Sequence, residues 1–278
     1  MLIRQIAVVP DGVDIEVKEI LRVTSALQKQ VTRDFGPIWE VSATVDGFAS
    51  LEEVPLGCWP VTIKQDVKNA AGFHVDKNGQ PFAVVEAGDS WSLTASHEVL
   101  EMLADPFGNR LIAGRSPNAD QNRVNFLVEV CDPSEDAEFA YTVNDVLVSD
   151  FYTPQYFDPV QNDGVRYSFT NAIKEPRQVL KGGYLSWHDP VSDHWFQQTF
   201  FGAKPASNDL GVLERKNRSL REMIDELTPQ TKRLSHLKQE APQLTGAISA
   251  AESSATATTA RAASLRAAIR AADKRKPG

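Results

Sequence analysis

The sequence predicts an α+β protein, in which a mixed sheet with two principal helices is followed by a helical C-terminal extension. The first ninety residues alternate between a strand, a helix and several strands. An apolar helix over 92–104 carries one histidine and two glutamates. The composition changes near residue 206, where aromatic and turn-rich sequence gives way to spaced leucines. Together these observations favour one mixed domain and a helical segment after it.

Turn signals delimit the first strand and the first helix. A buried strand over 3–9 is expected to end at the turn Pro10-Asp11-Gly12. Apolar residues at helical spacing then predict a helix over 17–31, with Asp14 as its N-cap and Gly36-Pro37 as its stop.

A hairpin and a second helix follow. The segment 72–87 reads as a β-hairpin because Asn78-Gly79 separates two apolar runs. The helix over 92–104 should end at Asp105-Pro106, since the residue before a proline disfavours helical geometry. The other strands and hairpins are expected over 39–45, 59–63, 123–131, 138–148 and 182–201.

The C-terminal region is predicted to be helical from Asp209 onward. Four leucines there lie seven residues apart, which is the spacing of a coiled-coil seam interrupted by Pro229. They are Leu213, Leu220, Leu227 and Leu234. The seam predicts either self-association or partner docking through 210–240, or a helix that folds back on the domain. We therefore divide the chain into a domain over 1–206, a helical or coiled-coil segment over 207–244 and a low-complexity, Ala-rich basic tail over 245–278.

Composition excludes several classes of protein. The 278 residues have 42% hydrophobic content and a formal net charge of -8, which argues against a broad nucleic-acid footprint. Two cysteines do not form a disulfide framework, and no apolar run reaches membrane-spanning length. We expect a soluble cytoplasmic protein with no nucleic-acid partner and no membrane span.

The helix over 92–104 carries the candidate chemistry. His97 and Glu101 are four residues apart, so a helix places them on one face, close enough to share one metal ion. Glu98 lies about 100° around the same helix, from where its carboxylate can reach a metal-bound water. A histidine and several carboxylates in an otherwise apolar helix carry a desolvation cost that a metal would offset.

The motif His97-Glu98-x-x-Glu101 resembles that of the zincin metallopeptidases, in which two ligands flank a catalytic glutamate on the active-site helix. The order of elements over 1–105 is also similar. The resemblance implies a zincin-like mixed sheet with an active-site helix, His97 and Glu101 as metal ligands, and Glu98 as general base. It also implies that the strand just before the helix, over 82–85, borders the cleft and pairs with an extended peptide or protein substrate.

The chain departs from the family pattern at Glu101, where zincins usually have a second histidine. A carboxylate is a legitimate zinc ligand, but it makes the metal-bound water less acidic. The resemblance implies zinc. Because of the carboxylate at 101, manganese or another divalent cation is the alternative.

A third ligand must come from elsewhere in the chain. Glu129 and Asp132 follow the next strong strand, and a later carboxylate is the third ligand in the glutamate zincins. We expect Glu129 to be the ligand. Asp132 should either bond to a ligand and hold it in place or serve as an alternative ligand, and Asp105 is a further candidate. The sequence does not rank the tyrosines that could stabilise an oxyanion, which are Tyr141, Tyr152, Tyr156 and Tyr167.

Other histidines are expected to lie outside the site. His188 and His194 flank a predicted hairpin turn and should be exposed, and neither His74 nor His236 has a motif around it. The rival interpretations are a zincin-shaped binding or assembly module with little or no activity, and a metallohydrolase that acts on a non-peptide amide.

Overall fold

A computed structural model of the chain describes residues 3–67, 70–214 and 218–228. In these residues the chain forms two five-stranded sheets, a short two-stranded sheet and four α-helices. The predicted α+β class is confirmed. None of the helices in the described ranges has both the length and the hydrophobicity that a bilayer-spanning segment needs.

The first sheet contains five strands in the order β2-β1-β3-β5-β4. They are β1 (Arg4–Pro10), β2 (Ala43–Gly47), β3 (Trp59–Lys64), β4 (Gly72–Lys77) and β5 (Gln80–Glu86). The pairs along β2, β1, β3 and β5 are parallel, whereas β4 is antiparallel to β5. The predicted hairpin is confirmed, and Asn78 and Gly79 at its tip have φ of 55° and 79°, as a two-residue turn with left-handed backbone requires.

This sheet has two edge strands, β2 and β4, and the strand that was expected to lie at an edge is neither of them. The strand before the motif helix is β5, which lies between β3 and β4 and is hydrogen-bonded on both sides. The expectation that it pairs with substrate is therefore wrong, because its backbone donors and acceptors are already used. Among the described strands, β4 has a neighbour on one side only and presents the edge that an extended peptide could join.

The first helix continues past its predicted stop. After α1 (Val17–Lys29) the chain passes through a π-helical stretch, Gln30–Phe35, directly into α2 (Gly36–Trp39). Gly36 and Pro37 do not end the helix, because proline is tolerated in the first turn of a new one. The N-cap of α1 is Glu16 rather than Asp14, and Trp39 belongs to α2, so strand β2 begins at Ala43 instead of at residue 39.

The motif helix is the buried centre of the fold. Helix α3 (Trp91–Ala104) ends at the predicted stop, Asp105. Thirteen of its fourteen residues are buried. It packs against β4 and β5 on one side and against the small hairpin on another. A helix enclosed in this way places any polar side chain it carries inside the protein.

The second sheet is antiparallel, in the order β12-β11-β10-β7-β6. Its strands and those of the small hairpin are β6 (Leu111–Arg115), β7 (Arg123–Leu127), β8 (Tyr141–Val143), β9 (Val146–Val148), β10 (Tyr184–Asp189), β11 (His194–Thr199) and β12 (Ala206–Gly211). Both hairpins predicted in this half are confirmed. The strand predicted over 123–131 ends at Leu127, and the chain then leaves the sheet and turns toward α3.

The C-terminal prediction is corrected in part. Residues 209–211 are in β12, so the helix does not begin at Asp209, and the boundary drawn between 206 and 207 falls within a strand. Helix α4 (Leu220–Leu227) begins at a capping box in which Ser219 and Glu222 bond reciprocally. Its Leu220 and Ile224 pack in a cluster with Leu127 and Trp195, so this turn of the seam folds back on the domain. Leu234 and the rest of the seam lie outside the described residues.

Candidate metal centre

Three of the predicted site residues meet around one imidazole nitrogen. The Nε2 atom of His97 lies 3.2 Å from Oε2 of Glu101 on the same helix face. It also lies 3.4 Å from Oδ1 of Asp132, which comes from the segment after β7. All three side chains are buried. The geometry therefore favours Asp132 over Glu129 as the residue next to His97, the reverse of the order expected from the sequence.

The segment after β7 is attached to α3 by its backbone. The N–H of Cys131 donates to Oε1 of Glu101 at 3.1 Å, and the thiol of Cys131 donates to the carbonyl oxygen of His97 at 3.8 Å. Burial, reinforced by Glu101, raises the pKa of Cys131 well above its usual value. Cys131 is thus a protonated thiol that holds Glu101 and the backbone of His97 in place, and it leaves Oε2 of Glu101 directed toward His97.

A guanidinium from α4 enters the same cluster. Nη1 of Arg221 lies 3.0 Å from Oε2 of Glu101 and 3.7 Å from Oδ2 of Asp132, and it is hydrogen-bonded to Oε2 of Glu129. Its Nε donates to Asp225 one turn later on α4. Arg221 is 2% exposed, so this charge is enclosed with the carboxylates. Glu129 therefore holds the arginine in this structure.

Glu98 faces a histidine that no sequence motif singles out. The Nδ1 atom of His74, on β4, lies 3.4 Å from Oε2 of Glu98 and 3.7 Å from Oε2 of Glu101. The ring is buried, and its Nε2 lies 3.2 Å from the carbonyl oxygen of Asp105. The general-base candidate thus sits between α3 and the edge strand β4.

Burial and neighbouring charges shift the pKa values of three residues in the cluster. Burial lowers the pKa of His97, but Glu101, the hydrogen bonds to Asp132 and Glu101, and Glu98 outweigh it and hold the pKa well above 6.5. Burial raises the pKa of Glu101, yet His97 and Arg221 bring it well below 4.5. For Glu129 the effect of burial prevails over Arg221, and its pKa lies well above 4.5.

The donor set suits a divalent cation. Among the described residues, potential ligand atoms form four overlapping groups of three, in each of which all atoms lie within 4.8 Å of one another. The groups are His97-Glu101-Cys131, His74-Glu98-Glu101, His97-Asp132-Glu135 and Glu101-Glu129-Asp132. Imidazole and carboxylate donors are ligands for zinc and manganese. Oε2 of Glu98 and Oε1 of Glu129 are buried without a hydrogen-bond partner among the described residues, as expected of groups that face a bound ion or water.

Of the four tyrosines, one has a hydroxyl that is not engaged. The hydroxyl of Tyr141 donates to Asp34, that of Tyr156 donates to the carbonyl of Gln178, and that of Tyr167 accepts from the N–H of Asn162.

The hydroxyl of Tyr152 is buried without a hydrogen-bond partner among the described residues. Burial raises its pKa well above 10, and the neighbouring Tyr156, Glu129, Glu101 and Asp132 raise it further. The group is therefore a protonated donor within the electrostatic reach of the cluster.

The remaining candidates have other roles. Oδ2 of Asp105 accepts the backbone N–H of Arg110 at 2.6 Å, which fixes the end of α3. His188 pairs with Asp193 and His194 with Asp209 near the protein surface, as expected for residues that flank a turn. His236 lies outside the described residues.

Sequence reasoning missed His74, Arg221 and Glu135. The turn at Asn78-Gly79 sets the register of β4, in which His74 pairs with Ala83. No sequence signal indicates that β4 packs against α3. The capping box at Ser219 marked the start of α4 but not the surface on which that helix packs. Glu135 lies in the same acidic segment as Glu129 and Asp132 and could have been added to that list.

The chain matches no protein-family model, no curated protein and no solved structure. The residues of the cluster are therefore the basis for assigning a function.

Proposed function

We propose that the chain is a metal-dependent hydrolase that cleaves peptide bonds in a peptide or protein substrate. The observation that carries the proposal is that Glu101 and Asp132 converge on Nε2 of His97, at 3.2 and 3.4 Å, inside a buried cluster of carboxylates. Ligand atoms around one zinc ion lie at separations of about this size. Zinc is the cation we propose, with manganese as the alternative because carboxylates outnumber imidazoles.

The resemblance to zincins supports the proposal. The motif residues lie on one helix, as that family requires, and the helix follows a hairpin of a mixed sheet. The open edge of β4 supplies backbone donors and acceptors for an extended peptide beside Glu98 and His74. The likeness consists of three motif residues and the order of the elements around them.

The roles of the protein side chains follow from their positions. A divalent cation bound by His97, Glu101 and Asp132 would supply Lewis acidity and a water of lowered pKa. Glu98 would accept the proton of that water and later deliver it to the leaving amine. Its carboxylate is suited to the role because Oε2 is buried and has no hydrogen-bond partner among the described residues.

Tyr152 is the oxyanion donor that we propose. Its hydroxyl is protonated, buried and near Glu129 and Glu101, so a negative oxygen that develops there during the reaction would receive its hydrogen bond. The setting that we propose is the cytoplasm, where the two unpaired cysteines, Cys58 and Cys131, remain reduced.

The test compares three variants with the wild type after each has been supplied with zinc or manganese. We expect near-stoichiometric metal in the wild type, loss of the His97-bound cation in His97→Ala, and retention of it in Glu98→Gln. Hydrolysis of unstructured peptides should fall by about 100-fold or more in Glu98→Gln, because the proton acceptor is lost while the cation stays. His188→Ala, in which a surface histidine is removed, is the matched control. A wild type that takes up no metal would retire the proposal.

The alternative is a binding or assembly module with little or no activity. Arg221 favours it, since a guanidinium already pairs with three carboxylates of the cluster. A module of this kind would fold without metal and would bind a partner through its C-terminal region. Metal content of the purified protein separates the two functions.

A further inference from the structure

His74 has one ring nitrogen engaged and the other directed into the carboxylate cluster. Nε2 lies 3.2 Å from the carbonyl oxygen of Asp105, and a carbonyl oxygen only accepts hydrogen bonds. Nε2 therefore carries the hydrogen, and in the neutral ring Nδ1 presents a lone pair. The ring is 1% exposed, and Nδ1 has no hydrogen-bond partner among the described residues.

That lone pair faces two carboxylate oxygens. Oε2 of Glu98 is 3.4 Å away and Oε2 of Glu101 is 3.7 Å away, and the three atoms lie within 4.8 Å of one another. Three electron-pair donors this close repel one another unless a proton or a metal cation lies between them. A histidine that donates one N–H to a backbone carbonyl while its other nitrogen meets carboxylates has the arrangement of a metal ligand.

The cluster is rich in carboxylates. Five of them contribute to the overlapping groups of potential ligands: Glu98, Glu101, Glu129, Asp132 and Glu135. The guanidinium of Arg221 contacts Glu101, Glu129 and Asp132, and it reaches the same Oε2 of Glu101 that faces Nδ1 of His74. Glu98 has no ion pair with Arg221 among the described residues, so a cation bound beside His74 would supply positive charge to Glu98 that Arg221 does not.

We propose that His74, Glu98 and Glu101 form a second divalent-cation site, next to the one at His97 and sharing Glu101 with it. The proposed hydrolase needs one cation, and this inference adds another. Its ligands are one imidazole and two carboxylates, which suit Mn²⁺ or Zn²⁺. Glu98 would bind through Oε2, and its proposed role as proton acceptor would then pass from Oε2 to Oε1, which an added Cβ at Gly72 would approach to 3.0 Å.

The experiment is a metal titration of the full-length, metal-free protein with Mn²⁺ and separately with Zn²⁺, with bound metal counted by mass spectrometry. We expect two equivalents in the wild type and one in His74→Gln. Glutamine keeps a donor N–H for the Asp105 carbonyl and lacks a counterpart of Nδ1, so the substitution removes the ligand and preserves the hydrogen bond. His188→Gln should keep both equivalents.

A second measurement does not depend on any variant. Two Mn²⁺ ions that share a carboxylate are spin-coupled, so the electron paramagnetic resonance spectrum of the wild type should show coupling at two equivalents and lose it at one. A single uncoupled equivalent in the wild type, unchanged in His74→Gln, would overturn the second site and leave the proposed hydrolase intact. No bound metal at all would instead remove the proposed function.

Discussion

At the residue scale, burial makes the pKa values of the side chains in the cluster depend strongly on their immediate neighbours. Glu101 is fully buried, and it keeps its charge because His97 and Arg221 lie beside it. Glu129 is also buried, but there the cost of desolvation prevails and the pKa rises. Two glutamates that contact the same guanidinium thus have pKa values shifted in opposite directions, because only Glu101 also contacts an imidazole.

Asp150 is another buried carboxyl, and the shift in its pKa has a measurable effect on stability. Burial raises its pKa from 3.8 to about 6, although the backbone N–H of Thr170 donates to it. A carboxyl whose pKa is higher in the folded state does not lower the free energy of unfolding below about pH 4, where it is protonated in both states. The loss of stability grows as the pH rises to about 6 and is constant above that.

We therefore expect Asp150→Asn, which keeps an acceptor for Thr170, to gain stability over the wild type as the pH rises. The difference in free energy of unfolding should grow by up to about 3 kcal/mol between pH 4 and pH 7 and then level off. Denaturant titrations of both proteins across this range measure it. A difference that is independent of pH would show that Asp150 titrates alike in the folded and unfolded states.

At the element scale, local sequence signals located most elements but not their neighbours. The Asn78-Gly79 turn and the Asp105-Pro106 stop are set by backbone preferences of single residues, so the hairpin and the end of α3 were predictable. Whether β5 or β4 carries the free edge depends on strand order, which is a long-range property. The packing of α4 against Leu127 and Trp195 is equally non-local, and it is what brings Arg221 to the cluster.

The candidate site divides in the same way. His97, Glu98 and Glu101 are related by helical spacing and were predicted together, and Asp132 was found because it lies among acidic residues after a strong strand. The choice between Asp132 and Glu129 could not be made from sequence, because it depends on where the chain turns after Leu127. His74 comes from another strand and has no local signal that it contacts Glu98.

Helix α4 is expected to compete with a metal ion for the carboxylates. The guanidinium of Arg221 contacts the oxygens of Glu101, Glu129 and Asp132, so removing it should strengthen divalent-cation binding there by tenfold or more, which is about 1.4 kcal/mol. We predict this gain for Arg221→Gln in calorimetric titrations with Zn²⁺. Arg218→Gln is the matched control, since Arg218 lies just before the same helix and pairs with the exposed Glu226 near the end of it.

The same substitution should destabilise the metal-free protein. Carboxylates left buried without their guanidinium cost about 3–5 kcal/mol, and this loss should be recovered when metal is added. Denaturation in a chelator and in excess Zn²⁺ measures both quantities. If Arg221→Gln binds metal more weakly than the wild type, Arg221 organises the carboxylates for the ion and does not compete with it.

At the scale of the whole molecule, the cluster connects parts of the chain that are distant in sequence. His74 belongs to the first sheet, His97 and Glu101 to the central helix, Asp132 to the segment that leaves the second sheet, and Arg221 to α4. Any cation bound there would join both sheets. Its removal should therefore affect the stability of the whole fold and not only a loop.

We predict that chelation lowers the melting temperature of the wild type by on the order of ten degrees. A ligand present at 1,000 times its dissociation constant stabilises the folded state by about 4 kcal/mol, and each kcal/mol moves the melting temperature of a protein of this size by roughly 2–4 °C. The melting temperature should depend on Zn²⁺ concentration in the wild type and in His188→Ala, but much less in His97→Ala, which lacks the central ligand. A melting temperature that is the same with zinc and with chelator, in the wild type as in His97→Ala, would mean that the carboxylates are balanced by protons and Arg221. The assembly module would then be the better account of this chain.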